Sequence, residues 1–279
     1  MRKKRIFASV FSSIPAIGFL SSASFLQVGP AQAQGNSEVG IIGPSPQISV
    51  VRSPNVDYTL NIFREYYFLY KPAGYSSSQP YGLLVYIPPL DVMTELPPGW
   101  AEKLTNHRML CLIPQRAGNG VKNPRRTGLA ILGALAIMQK YRIDVNKVFV
   151  GGFSGGARTA GDAAYFQSDL FKGTLQNCGS DFYKAVPHRQ GTNWVDTEGH
   201  GYGVLGQATA QEVANARSRV RFALITGPDD FRHGNILDIY NGGYAAERFQ
   251  SRLFDVPGMG HDHCSADTLD KALYYLEGR

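Results

Sequence analysis

Ser154 stands at the centre of Gly152-Phe153-Ser154-Gly155-Gly156, a G-x-S-x-G pentapeptide directly after the apolar run Val148-Phe149-Val150. A serine on a sharp strand-to-helix turn is held in a backbone conformation that tolerates no bulky neighbours, so small residues must flank it. Such a turn lifts the hydroxyl above a helix N-terminus, whose dipole favours developing negative charge. The chemistry implied is nucleophilic attack on a carbonyl. The plainer alternative is a glycine-rich turn whose serine caps a helix. Dinucleotide binding fits poorly, because Phe153 and Ser154 interrupt both registers of a G-x-G-x-x-G frame.

A serine hydroxyl is a weak nucleophile at its free pKa and needs a general base, itself oriented by an acid. Both residue types follow later strand-like runs. Phe222–Thr226 leads into Gly227-Pro228-Asp229-Asp230, and Phe254–Val256 leads through Pro257-Gly258-Met259-Gly260 into His261. Either Asp229 or Asp230 could orient the base while the other closes the turn. His261 is favoured over His263, because the glycine-rich approach lets the backbone bring it to Ser154. The oxyanion hole needs two backbone N–H groups. Gly155 supplies one, and the loop after Leu83–Ile87 supplies the other. That loop begins Pro88-Pro89, which carry no N–H, so Leu90 is the first available donor. A metal site at His261-Asp262-His263-Cys264 is the competing chemistry, but no second ligand cluster is placed to complete a tetrahedron, so no metal or other cofactor is expected.

The elements that must position these groups recur along the chain. Strand-like runs occupy Ile48–Val51, Glu65–Tyr70, Gly82–Ile87, Met109–Ile113, Lys147–Phe153, Gly173–Asn177, Arg219–Thr226 and Leu253–Val256. Several are continuously apolar, as in strands buried on both faces of a mostly parallel sheet. Helical patterns fall at Thr127–Tyr141, Gly155–Phe166, Thr209–Arg217, Gly243–Arg252 and Ala266–Leu276. In Thr127–Tyr141, Leu129, Leu132, Leu135 and Met138 form one stripe. The alternation predicts an α/β fold with helices on both faces of the sheet, in one domain over residues 48–279. Residues 181–208 have no clear periodicity and are expected to form a loop or cap insertion over the site.

Met1-Arg2-Lys3-Lys4-Arg5 precedes a mostly apolar stretch and Ala31-Gln32-Ala33, the layout of a signal peptide cleaved after Ala33. The expected location is therefore periplasmic or extracellular, with no stable membrane insertion after cleavage. Residues 34–47, rich in Gly, Pro and Ser, read as a flexible leader. Loss of the first 33 residues takes Lys+Arg from 28 to 24 against 22 acidic residues, so the net charge falls from +6 to about +2. No basic block remains, which argues against nucleic acid as a partner. Of three cysteines, Cys111 lies in a central apolar run and is expected to be a buried thiol, whereas Cys178 and Cys264 fall in loops and form the candidate disulfide.

Three stretches carry a family resemblance: Tyr141-Arg142-Ile143-Asp144 leading into Val148–Ala157, then Thr226-Gly227-Pro228-Asp229-Asp230-Phe231-Arg232, then Asp255-Val256-Pro257-Gly258-Met259-Gly260-His261. Together they resemble α/β-hydrolases of the esterase, prolyl-oligopeptidase-like and polyhydroxyalkanoate-depolymerase-like group, and the resemblance covers most of residues 65–279. It implies Asp230 as the acid and His261 as the base. It also implies an acyl-enzyme mechanism on a small-molecule or polymeric ester, without a cofactor. The pattern departs from many such enzymes at the oxyanion strand end, where Pro88-Pro89 replaces His-Gly. The expected activity is that of a carboxylesterase. The alternatives are a serine peptidase, less expected because the chain has no room for a gating domain, and a catalytically silent binding protein of the same fold.

Overall fold

Long apolar runs bounded by glycine and proline become interior strands, because such a strand can bury side chains on both faces. The computed structural model describes residues 35–43, 53, 55–186 and 208–279. Among these, eight strands form one sheet: β1 (Asn36–Ile41), β2 (Tyr66–Lys71), β3 (Tyr81–Ile87), β4 (Met109–Pro114), β5 (Ile143–Phe153), β6 (Gly173–Asn177), β7 (Arg221–Thr226) and β8 (Gln250–Asp255). Their spatial order is β1-β2-β4-β3-β5-β6-β7-β8. The β1–β2 and β2–β4 pairs are antiparallel, and every later pair is parallel.

The helices are α1 (Trp100–Asn106), α2 (Asn123–Lys140), α3 (Gly155–Phe166), α4 (Ala210–Arg219), α5 (His233–Ile239) and α6 (Ala266–Leu276), with a π-helical turn at Tyr240–Ala245. They cover both faces. Leu83, Val85 and Ile87 of β3 face a core shared with α2, α3 and α4, including Leu129, Ala160 and Val213. The alternate residues Leu84 and Tyr86 face Trp100 and Leu104 of α1 and Leu269 and Leu273 of α6. That two-sided burial, with side chains alternating along the strand, holds β3 and β5 rigidly side by side.

Several expectations are corrected. Residues 36–41, read as leader, form edge strand β1. Glu38 draws Lys71 of β2 (3.1 Å), Lys140 of α2 (2.8 Å) and the Tyr141 hydroxyl (2.7 Å) onto that edge. The helix expected over Gly243–Arg252 is instead the end of the π-helical turn followed by β8, which begins at Gln250. Its Ala-Ala-Glu-Arg composition favours helix, but Arg248 turns to a positive φ of 58°, and from Gln250 the chain pairs with β7 along the whole of β8. Helices α1 and α5, seven residues each, were too short to announce themselves by periodicity. The strand expected at Ile48–Val51, the leader Met1–Ala33 and most of the 181–208 insertion lie outside the described residues. Among the described residues, no helix is long and apolar enough to cross a membrane.

Candidate active site

Ser154 occupies the turn between β5 and α3 with φ 56° and ψ −120°, a conformation that costs a non-glycine residue roughly 1–3 kcal/mol. The neighbouring glycines are required by close approach. A Cβ on Gly156 would lie 2.0 Å from the Ile87 carbonyl oxygen, and one on Gly152 would lie 2.4 Å from the Gly156 backbone. The turn is pinned from both sides. The Ser154 N–H donates to the Asn177 carbonyl at the end of β6 (2.9 Å), and the Ser154 carbonyl accepts from Ala157 and Arg158 in the first turn of α3 (3.1 and 3.3 Å).

Two loops bring His261 and Asp230 to this serine. The His261 Nε2 lies 3.0 Å from the Ser154 Oγ, and its Nδ1 lies 2.7 Å from the Asp230 Oδ1. Ser154 is 8% exposed, the Asp230 side chain 0% and the His261 side chain 21%, so His261 is reachable from solvent and Asp230 is not. The Asp230 Oδ1 also accepts from the Arg232 N–H (3.0 Å), and Oδ2 accepts from the Thr226 hydroxyl (2.8 Å). Burial raises the Asp230 pKa, but hydrogen bonds from His261, the Arg232 N–H, Thr226 and Cys178 outweigh it, holding the carboxyl below its ordinary range. Asp230 is thus a buried carboxylate bonded to one ring nitrogen of His261.

The competing residues take other positions. Asp229 is exposed, and its backbone bridges to Gly260 and donates to the Met259 carbonyl (3.2 Å), joining the acid loop to the histidine loop. The His263 Nδ1 meets the buried Tyr86 hydroxyl at 2.7 Å. Burial lowers the His263 pKa, with Asp262 opposing, which favours the neutral ring. The Phe153 ring packs against both histidines, at 4.9 Å from His261 and 4.6 Å from His263. Phe231, 71% exposed, also packs against His261, at 4.2 Å between ring centres.

The expected disulfide is absent: Cys178 and Cys264 are both free, buried thiols, as is Cys111. Their side chains serve separate environments. The Cys178 thiol donates toward the Asp262 carbonyl (3.5 Å), whereas Cys264 packs beside Trp100 and Leu269 and its carbonyl accepts the Trp100 indole N–H (2.9 Å). The Asn177 amide ties the two regions together, donating to the Asp262 carbonyl (3.0 Å) and accepting the Cys264 N–H (2.6 Å). Among the described residues, metal-ligating atom types gather at Cys178, Asp230 and His261, all within 4.8 Å of one another. Asp230 and His261 of that group already bond each other and, through His261, Ser154.

Around the expected oxyanion hole, Leu90 follows β3 after Pro88-Pro89, and Gly155 opens α3. The Pro89 carbonyl accepts the Asn119 N–H (2.9 Å), and a trans peptide then points the Leu90 N–H the opposite way. The Ser154 carbonyl, bonded to the first turn of α3, orients the Gly155 N–H by the same geometry. Asn177, Phe231, Tyr86 and Arg126 were not picked out from the sequence. Only Asn177, a polar residue closing the strand beside β5, offered a signal there.

This eight-stranded sheet, with Ser154, Asp230 and His261 following β5, β7 and β8, is the α/β-hydrolase fold. Solved structures agree. The S-formylglutathione hydrolase FrmB of Staphylococcus aureus is similar at 12% identity and TM-score 0.57, over 87% of this chain and 98% of that one. A ferulic acid esterase is similar at 18% identity and TM-score 0.55, over 88% and 98%. A putative dipeptidyl aminopeptidase IV from Bacteroides ovatus is similar at 14% identity and TM-score 0.58, over 89% of this chain but 36% of that longer one. No protein-family model and no curated protein sequence matches the chain.

Proposed function

We propose that the protein is a serine hydrolase acting on carboxylic esters. The observation that carries this reading is the continuous line from the Asp230 Oδ1 through the His261 ring to the Ser154 Oγ, with contacts of 2.7 and 3.0 Å. His261 takes the serine proton as Oγ attacks the acyl carbonyl, and Asp230 stabilises the imidazolium that forms. The Gly155 and Leu90 N–H groups receive the oxyanion. The proton then passes to the leaving alcohol, and water on the same base releases the acyl-enzyme.

Esters are favoured over peptides because the two ester- and thioester-hydrolase structures align over nearly their full lengths, whereas this chain spans about a third of the aminopeptidase. The exposed Phe231 ring beside His261, with Leu90 exposed at the end of β3, offers apolar surface to an acyl or aryl group. Secretion is part of the proposal, resting on the leader Met1–Ala33. N-terminal sequencing of the exported protein should begin at Gln34.

The test is hydrolysis of p-nitrophenyl acetate by the wild-type chain and by Ser154→Ala. Turnover lost by at least about 10³-fold in the variant supports the reading. Turnover unchanged in Ser154→Ala, or absent from the wild type, overturns it, the latter in favour of a silent binding protein. A peptide anilide cleaved faster than the ester would overturn the ester preference alone.

A further inference from the structure

We propose that Arg126 is the positioning residue of the oxyanion hole, a buried fork that clamps together the chain segments carrying the hole's donors. This inference rests on the serine-hydrolase reading above. Arg126 lies in the first turn of α2 and is 5% exposed. Its Nη1 donates to the Gly155 carbonyl (3.1 Å), its Nη2 to the Pro88 carbonyl (3.3 Å) and its Nε to the Ala117 carbonyl (2.7 Å). These three acceptors belong to the start of α3, the exit of β3 and the loop after β4. The first is the carbonyl of Gly155 itself, and the second lies two residues before Leu90 in the Pro88-Pro89-Leu90 loop.

The arrangement is costly, which argues for a task beyond filling space. A cation in a first helical turn opposes the helix dipole, and α2 has no acidic residue there to offset it. Burial lowers the Arg126 pKa to about 10, with Asp162 partly restoring it, so the side chain remains charged at neutral pH. Among the described residues it forms no ion pair and spends its charge on peptide carbonyls. A guanidinium suits this task because its planar fork fixes several acceptors at once, which a lysine ammonium cannot do in the same geometry.

The departure at Pro88-Pro89 gives the clamp its purpose. Two prolines supply no N–H with which the loop could hold itself. Donors come instead from outside: Arg126 holds the Pro88 carbonyl, and the Asn119 N–H holds that of Pro89. The loop after β4 is tied in further, since the Gly118 N–H donates to the Asp91 Oδ1 (3.1 Å). Arg126 therefore acts through Pro88 and Gly155 and touches no substrate.

The experiment compares wild type, Arg126→Lys and Arg126→Gln, with folding checked by circular dichroism and thermal melting. With p-nitrophenyl acetate, kcat should fall by roughly 10- to 100-fold while KM stays within about threefold, since misplaced donors weaken the transition state and not ground-state binding. Affinity for an arylboronic acid, a mimic of the tetrahedral adduct, should fall in parallel with kcat. Arg126→Lys keeps the buried charge and loses only the fork, so it carries the test if Arg126→Gln fails to fold. A folded variant with wild-type kcat and boronate affinity overturns the proposal, as does failure of both variants to fold. An inactive wild type would instead sink the hydrolase reading itself.

Discussion

Replacing Asp230 with alanine separates an orienting acid from a buried structural carboxylate. The carboxylate faces the His261 Nδ1 at 2.7 Å, and its side chain is fully shielded from solvent. When the ring becomes imidazolium, the two charges interact at roughly 4 Å between centres, worth about 4 kcal/mol at an effective dielectric near 20. Losing the charge-assisted hydrogen bond that fixes the ring's tautomer adds roughly 1.5 kcal/mol. Together these convert to a loss of about 10⁴-fold in kcat. KM should hardly move, because Asp230 does not reach the substrate. Asp230→Asn keeps an acceptor without the charge and should fall between Asp230→Ala and wild type. Asp229→Ala should remain within about threefold of wild type, since its described bonds are made by its backbone. The assay is p-nitrophenyl ester kinetics on variants whose folding is verified by circular dichroism. An Asp230→Ala enzyme within tenfold of wild type, or an Asp229→Ala enzyme as damaged as Asp230→Ala, would refute the reasoning.

Gly156→Ala places a Cβ 2.0 Å from the Ile87 carbonyl oxygen and should destabilise the fold by about 3 kcal/mol, lowering Tm by roughly 6–10 °C; an unchanged melting curve would refute the tight turn. Thiol titration in denaturant without reductant should count three free cysteines, whereas a count of one would mean that Cys178 and Cys264 are bonded. Burial raises the Glu38 pKa, but bonds from Lys140, Tyr141 and Lys71 take it down to about 2. Because the folded pKa is depressed, the stability it contributes is complete above about 4.5 and is lost as pH falls toward 2. Glu38→Gln should accordingly cost about 1 kcal/mol in denaturant titrations at pH 7 and nothing at the acid end. An equal difference at both pH values would contradict it.

The interior of the sheet was legible because β3 and β4 are buried throughout and their sequences are correspondingly apolar. The convergence of Ser154, Asp230 and His261 was legible too, since each follows its own strand and is announced by glycine. The sequence left Asp229 and Asp230 open. The fold separates them by burial, giving the exposed residue to loop pairing and the buried one to His261. Edge strand β1 was hidden because one face of it is solvated and its partners, Lys71 and Lys140, are remote in sequence. Arg126 looked like one more basic residue in Arg125-Arg126, and only the convergence of three loops makes it interior. The cysteine pairing failed for a related reason: both residues lie in the right region, but Asn177 holds their loops so that the two thiols serve different surroundings.

The most direct measurement is mass-spectrometric mapping of a fluorophosphonate adduct on the native protein. The account predicts a single adduct on Ser154, formed rapidly by wild type and slowed by at least about 10³-fold in His261→Ala, because the 3.0 Å contact to Nε2 is what activates the hydroxyl. An unmodified Ser154 in the folded protein, or equally fast labelling without His261, would contradict it.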